Sequence, residues 1–207
     1  MPSLPRDYRF NVFINCPFDP TYQPLFYAVV FAVQIAGLKP RCALEASNAG
    51  TYRLQKIKNI IAECKYGVHD ISRTELSSNG LPRFNMPLEL GIDLGCKEFG
   101  SQQQRKKSFL VMDTTEHRYE RFISDIKGQD IKGHGRNAKR IINHVRDWLS
   151  AESHISNMPG GDYMYKRYQA FQKELPLLCR EAKLNIKKLT FGDFIKIARV
   201  WLEENET

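Results

Sequence analysis

Along the first 150 residues, short apolar runs alternate with longer segments in which apolar positions recur every three or four residues. The short runs are rich in branched and aromatic side chains, as is typical of buried strands, whereas the longer periodicity is typical of helices. Strands are predicted over residues 11–15, 40–46, 66–71 and 108–112, and helices over residues 22–37, 51–64, 87 to about 95–100, 120–126 and 137–149, with Thr51 as an N-cap. Such alternation predicts parallel βαβ units, hence an α/β fold with helices on both faces of an open parallel sheet.

The pattern changes after Ser150. A loop, Asn157-Met-Pro-Gly-Gly, is followed by two basic amphipathic segments that divide near residues 185–190. Because the loop is short, we expect residues 151–207 to form a helical cap that packs on the domain of residues 1–150.

The net charge of the chain is +8, and residues 163–199 contain nine Lys or Arg against three acids, which is +6. Such a bias suits phosphates or nucleic acid. A solvated helical face is the favoured interpretation, because Tyr168, Phe171 and Leu175 recur at the spacing of a core-facing stripe. Nucleic acid is therefore not the expected partner, and self-association through the cap stays open.

The five cysteines are scattered without a Cys-x-x-Cys pair, and the five histidines show no paired ligand spacing. Reduced thiols are expected, with no disulfide framework and no metal site. The longest apolar stretch, residues 24–38, is shorter than the roughly 20 residues that a bilayer requires. The first residues lack the basic-then-apolar order of a signal peptide, so we expect a cytoplasmic protein with no membrane partner.

Functional groups of parallel sheets gather beyond the carboxyl ends of the strands. The predicted strands end at residues 16–19, 45–48, 70–73 and 113–115. The substrate-binding candidates among these residues are Cys16, Phe18, Asp19, Arg73 and Asp113.

Glu89 is the most informative candidate. Asp70-Ile-Ser-Arg is followed fifteen residues later by Asn85-Met-Pro-Leu-Glu-Leu-Gly, which places Glu89 in the first turn of a predicted helix. There the helix dipole favours an ionised carboxylate. Such a group suits nucleophilic attack on a sugar carbon or stabilisation of an oxocarbenium ion. The alternative is a Glu that only interacts with the dipole.

Three short motifs carry a family resemblance that covers roughly residues 11–113. Phe13-Ile-Asn-Cys-Pro-Phe resembles the first-strand motif of the nucleoside 2-deoxyribosyltransferase-like family, and Asp70-Ile-Ser resembles its third-strand end. Glu89-Leu-Gly resembles the family's Glu-Leu-Gly helix, in which the Glu is the nucleophile. The related TIR domains share the flavodoxin-like layout and the helix-borne Glu, and many cleave the nicotinamide–ribose bond of NAD. The resemblance implies a flavodoxin-like sheet, and by analogy a role in bacterial defence or nucleotide salvage.

The resemblance also implies roles for the acidic and aromatic candidates. Glu89 would be the nucleophile or the ion-pair stabiliser. Asp70 would accept sugar hydroxyls or position the base, or it would only cap the following loop. Phe18 would stack on a base or nicotinamide ring whose edge Asp19 hydrogen-bonds, or it would simply pack in the core.

Four further residues each have a functional and a purely structural interpretation. Asn85 would bind a ribose hydroxyl or serve as the N-cap of the Glu89 helix. Arg53 or Arg73 would bind phosphate, or both would be surface charges. His134, in the Gly-rich loop of residues 128–137, would be a general acid, a phosphate contact or a surface residue.

We therefore expect an N-glycoside hydrolase that acts on NAD or a nucleotide, with NAD as a substrate and no cofactor. Transferases of the resembled family place an acid a few residues before the Glu, whereas this chain has Arg83-Phe-Asn-Met. Hydrolysis is therefore favoured over base exchange. The alternative function is a non-catalytic nucleotide sensor or signalling module of TIR-like fold.

Overall fold

A computed structural model describes residues 7–45, 50–74 and 82–205 of the chain. The strands are β1 (Asn11–Asn15), β2 (Lys39–Arg41), β3 (Tyr66–Asp70), β4 (Ser108–Asp113) and β5 (Lys132–Gly133). The helices are α1 (Gln23–Ile35), α2 (Arg53–Ala62), α3 (Asn85–Phe99), α4 (Ala138–Glu152), α5 (Gly161–Glu181) and α6 (Phe191–Glu204). The strands form one parallel sheet in the order β2-β1-β3-β4-β5. The predicted α/β class is confirmed, and this strand order is that of flavodoxin-like folds.

The two faces of the sheet are set by the alternation of side chains along β3. Tyr66 and Val68 belong to the core that includes α1 and α4, and Asp70 points to the same face. His69 points to the opposite face and meets Asp93 of α3. Because the chain runs from β1 to β2 on one side and then returns to β3 on the other, a crevice is expected where β1 and β3 end.

The helical cap packs on α1. Phe31 of α1 stacks on Phe171 of α5 at 5.2 Å between ring centroids, and Trp201 of α6 lies 5.4 Å from Phe171. Tyr27 stacks on Phe194 at 3.9 Å. Since the sheet covers one side of α1 and the cap covers the other, nearly every side chain of α1 is buried. The predicted helical cap is thereby confirmed.

The opposite face of the sheet is covered by α2 and α3. Ile57, Ile60 and Ile61 of α2 pack against Phe13 of β1. Met86 and Leu90 of α3 form a second small core with four buried side chains from the loops and strands around it: Ile71, Val111, Tyr119 and Ile131. This packing fixes α3 across the ends of β1 and β3.

The predicted second strand was too long. β2 ends at Arg41, and Ala43–Glu45 form a 3₁₀ turn. The turn lets the Arg41 guanidinium reach the Glu45 carboxylate, with Nη2 2.5 Å from Oε1, a contact between residues four apart that an extended strand does not permit. The predicted polar turn at 46–49 lies outside the described residues, as do residues 75–81 of the loop before α3.

Two predictions about helices were also wrong. The segment 120–126 is not a helix, because Phe122 and Ile123 leave the helical region with φ of −137° and −140° and split it into two 3₁₀ turns. Tyr52 rather than Thr51 is the N-cap of α2, and no side chain caps that helix. Within residues 7–45, 50–74 and 82–205, no helix has the length and apolar character needed to cross a bilayer.

Candidate functional site

Glu89 lies one turn inside α3. The helix begins at Asn85, two residues earlier than Pro87, so Glu89 is its fifth residue and its first turn contains no acid. Asn15, the last residue of β1, donates a hydrogen bond from Nδ2 to the carbonyl of Met86 at 2.8 Å. This bond ties the start of α3 to the carboxyl end of β1 and holds Glu89 beside that edge.

The Glu89 side chain is buried, with 6% of the residue exposed. Burial raises the pKa of Glu89 to about 7, and the positive charge of Arg53 only partly opposes this rise. No described residue donates a hydrogen bond to its carboxyl group. The helix dipole favours the ionised form by only about 0.3–1 kcal/mol, and desolvation of the buried carboxyl group acts in the opposite direction and outweighs it.

Asp70 is a buried carboxylate that accepts two hydrogen bonds and lies in contact with the ring of His134. Its Oδ2 accepts from the Tyr22 hydroxyl and lies 3.0 Å from His134 Nε2, and its Oδ1 accepts from the Ser72 amide at 2.8 Å. Burial alone would raise the pKa of Asp70, but the donors, His134 foremost, hold it below its ordinary value. Asp70 is thus a stable anion at neutral pH.

His134 is fixed by both of its ring nitrogens. Nδ1 accepts a hydrogen bond from the Arg136 amide at 3.0 Å, and Nε2 faces Asp70. An acceptor Nδ1 requires that the ring proton of a neutral His134 sit on Nε2, and this nitrogen lies 3.0 Å from Asp70 Oδ2 in a buried ion-pair contact. His134 is fully buried, so the surface alternative is wrong.

A cavity of about 400 Å³ opens above this cluster. Its polar lining comes from the loops that follow β1, β3, β4 and β5: Thr21, Ser72, Arg73, Thr114, His134 and Arg136. Arg73 donates to Thr21 and to Asp19, with its Nη2 3.2 Å from Asp19 Oδ1. Burial would raise the pKa of Asp19, but the Thr21 hydroxyl and the arginines hold it below its ordinary value.

Asp113, at the end of β4, is bound to Arg118. The Oδ1 atom lies 2.8 Å from Arg118 Nε and 2.6 Å from Nη2. Burial nevertheless raises the pKa of Asp113. Arg118 also donates to the carbonyls of Ile71 and Ser72, so the pair joins the ends of β3 and β4. The structure thus places Asp113 in a connecting ion pair beneath the loops.

The aromatic and thiol candidates lie near the end of β1. Phe18 is half-buried, packs edge-on against Phe26 at 5.3 Å between ring centroids, and lines a separate groove of about 210 Å³. Cys16 is buried, and burial raises the pKa of its thiol well above the ordinary value. Asn85 is the first residue of α3 and Phe84 is its N-cap, so the capping alternative for Asn85 is wrong.

The sequence-predicted residues fall into two groups along the carboxyl edge of the sheet. Asp19, Asp70, Arg73 and His134 lie in or beside the cavity on the face of α1 and α4. Glu89 does not line that cavity, and Arg53 of α2 is its electrostatic neighbour. Glu89 and Asp70 both act electrostatically on the Cys16 thiol, which follows β1.

Sequence reasoning missed a buried polar chain beneath α3. Asn15 Nδ2 lies 3.0 Å from His69 Nδ1, His69 Nε2 lies 3.1 Å from Asp93 Oδ2, and Asp93 Oδ1 lies 3.1 Å from Lys107 Nζ. A Cβ on Gly67 would lie 2.7 Å from His69 Nε2, so this position has to be glycine. The available signal was the presence of Asn15 and His69 inside strands that are otherwise apolar.

Tyr22, Arg118 and Arg136 were also missed as parts of the edge. None follows from a motif, because each is brought to the edge by a loop or a helix start. Among the residues that the structure describes, no group of three or more His, Cys, Asp or Glu is placed to hold a metal ion.

Comparisons with known proteins assign no family to this chain. No protein-family model, curated protein or solved structure matches it. Its function has to be inferred from the residues and the geometry described above.

Proposed function

We propose that this protein hydrolyses the N-glycosidic bond between the base and the ribose of NAD or a nucleotide, with Glu89 as the catalytic carboxyl group. The observation that carries the proposal is the state of Glu89, which is buried, without a hydrogen-bond donor among the described residues, and shifted to a pKa of about 7. A carboxyl group with a perturbed pKa near the carboxyl edge of a parallel sheet is a strong candidate for catalysis.

The ionised form of Glu89 does the chemistry. A carboxylate oxygen attacks the anomeric carbon, or stabilises positive charge on it, while the carbon–nitrogen bond breaks and its electron pair leaves with the base. A nicotinamide that leaves from NAD becomes neutral as it takes this electron pair and needs no proton, whereas the base of a nucleoside monophosphate also takes up one proton, which comes from water. Water then adds to the anomeric carbon, releases its proton and regenerates the carboxylate.

Hydrolysis is favoured over transfer by the residues before Glu89. The position where an acid is expected in a transferase is occupied by Arg83-Phe-Asn-Met, and Arg83 faces Asp19 at 3.3 Å. No second carboxylate is thus supplied by this segment to activate an incoming base. Water is the acceptor that remains.

A non-catalytic nucleotide sensor is the second candidate. The observation that favours it is the 400 Å³ cavity, which Glu89 does not line and which could hold a ligand without any bond cleavage.

One experiment separates the two. NAD, nucleoside monophosphates and nucleosides are tested for a shift in melting temperature, and the same mixtures are then chromatographed for free base. Release of base supports the hydrolase. A shift in melting temperature without free base supports the sensor and contradicts the hydrolase. If no shift and no free base are observed, both functions are contradicted.

A further inference from the structure

We propose that the 400 Å³ cavity on the face of α1 and α4 is a binding site for the phosphate group of a phosphorylated small molecule. Taking that molecule to be the nucleotide whose glycosidic bond is cleaved rests on the function proposed above. Glu89 does not line this cavity. Its volume is within the range of small-molecule sites, about 300–1,000 Å³.

Three parallel strands deliver the polar lining to one place. Ser72 and Arg73 follow β3, Thr114 follows β4, and His134 and Arg136 follow β5. The carboxyl ends of parallel strands are where α/β proteins bind ligands. A cavity lined at this edge by side chains from several loops is therefore placed as a binding site.

The lining is chemically suited to an anion. It contains the guanidinium groups of Arg73 and Arg136 together with hydroxyl groups, and no carboxylate is among the described residues that line it. Of the acids beside the cavity, Asp70 is buried among internal contacts, and Asp19 lies 3.2 Å from Arg73 and 3.3 Å from Arg83, so a bound phosphate would share Arg73 with Asp19. Arginines together with hydroxyl donors are typical of phosphate recognition.

Asp70 holds the walls of the cavity in place. It binds Tyr22 at the start of α1, the Ser72 amide after β3 and His134 after β5. Three groups from three separate segments thus converge on one buried anion. Without Asp70, the start of α1 and the loops after β3 and β5 would no longer be held together at the cavity. Asp70 is therefore a positioning residue and not a ligand contact.

His134 also holds the backbone of Arg136 in place. Its Nδ1 accepts the Arg136 amide at 3.0 Å, while the His134 amide donates to the Asp113 carbonyl at 2.9 Å. Arg136 adopts a left-handed backbone with φ of 56°, which is unfavourable for a residue with a side chain. The bond to His134 compensates for that strain and keeps Arg136 at the cavity. Strained residues held in this way cluster at binding sites.

The test measures binding of AMP, adenosine and inorganic pyrophosphate by calorimetry at one fixed ionic strength. We expect AMP to bind at least tenfold more tightly than adenosine, and pyrophosphate to compete with AMP. Arg136→Gln and Arg73→Gln should each weaken AMP and pyrophosphate at least tenfold, because hydrogen bonds to charged groups contribute strongly. Arg180→Gln, an exposed arginine at the end of α5, is the matched control and should bind as the parent does.

Asp70→Asn tests the positioning role. We expect weaker AMP binding and a loss of the preference for AMP over adenosine, with the circular dichroism spectrum of the parent retained. Should Asp70→Asn fail to fold, the two arginine variants decide the matter alone. Equal binding of AMP and adenosine by the parent protein, or unchanged AMP binding by Arg136→Gln and Arg73→Gln, overturns the phosphate site.

Failure of this site and failure of the proposed hydrolase look different. Glu89→Gln should keep the preference for AMP over adenosine, since Glu89 does not line the cavity. Phosphate-dependent binding without release of base by the parent contradicts only the hydrolase. Release of base at the parental rate and KM by Arg136→Gln and Arg73→Gln contradicts only the phosphate site.

Discussion

The ammonium group of Lys107 and the carboxylate of Asp93 form an ion pair that is closed to solvent. Nζ lies 3.1 Å from Oδ1, and neither side chain has exposed surface. Nζ also donates to the carbonyls of Ile61, at 2.8 Å, and Cys64, while the other oxygen of Asp93 faces His69. The pair thereby connects the end of α2, the middle of α3 and the start of β4.

Removal of one partner of this ion pair should destabilise the folded protein, because the other charge stays buried without a charge of opposite sign. We expect Lys107→Met to lower the free energy of unfolding by about 3–5 kcal/mol. Lys106→Met, at the exposed neighbouring position, is the control and should change it by less than about 0.5 kcal/mol. Urea denaturation measures both. The double variant Lys107→Met/Asp93→Asn should recover part of the loss, and equal stability of Lys107→Met and Lys106→Met would contradict the role of the pair.

The helical cap should unfold together with the sheet. Trp201 is 3% exposed, packs on Phe171 and donates from Nε1 to Glu174 at 2.9 Å. Truncation of such a residue leaves a cavity in the core that the cap shares with α1, so Trp201→Ala should cost about 3–5 kcal/mol. Val200→Ala, at a position 45% exposed on the same helix, is the comparison. A separate early transition of the cap in a thermal melt would show that the cap folds independently.

Glu89 should make the stability of the protein depend on pH. The folded-state pKa of about 7 is above the ordinary value of 4.5, so the folded protein holds a proton that the unfolded chain releases between these values. The contribution of Glu89 to the free energy of unfolding is therefore complete below pH 4.5 and is lost as the pH rises to about 7. This shift in the pKa of Glu89 corresponds to a change in the free energy of unfolding on the order of 3 kcal/mol.

Glu89→Gln removes the loss of stability that comes from ionising this buried carboxyl group. At pH 8 the variant should melt several degrees above the parent, and the difference should vanish near pH 4.5. Glu98→Gln, an exposed position further along α3, should follow the parent at both pH values. A Glu89→Gln protein that melts below the parent at pH 8 would contradict the unpartnered, buried state of the carboxyl group.

Much of the fold could be predicted because its elements are strongly patterned. β1, β3 and β4 are short buried segments whose side chains are mainly apolar, and α1 is apolar on every side since it is enclosed by the sheet and the cap. β5 was missed because a strand of two residues has no periodicity. The end of β2 was misplaced because a local ion pair between Arg41 and Glu45, and not the apolar pattern, stabilises a turn there.

The site was less predictable, since its properties depend on contacts between distant segments. The sequence indicated Asp70 and His134 separately, but their distance of 3.0 Å depends on how β3 and β5 are joined through β4. The pKa of Glu89 depends on what covers it, and local position in a helix predicted the opposite direction.

The pH dependence of the reaction should report the same carboxyl group. Because the ionised form of Glu89 acts on the anomeric carbon, kcat/KM for release of nicotinamide from NAD should rise with pH and level off above about 7. Glu98→Gln should keep this profile. A rate that falls as the pH rises through 7 would assign the essential group to a proton donor instead.

The central claim is that Glu89 carries out bond cleavage, and the rate of base release by Glu89→Gln tests it most directly. The parent, Glu89→Gln and Glu98→Gln are incubated with NAD and with nucleoside monophosphates, and free base is measured by chromatography. We predict release by the parent and by Glu98→Gln, and a loss of at least a hundredfold for a folded Glu89→Gln protein. Release of base by Glu89→Gln at the parental rate would contradict the account.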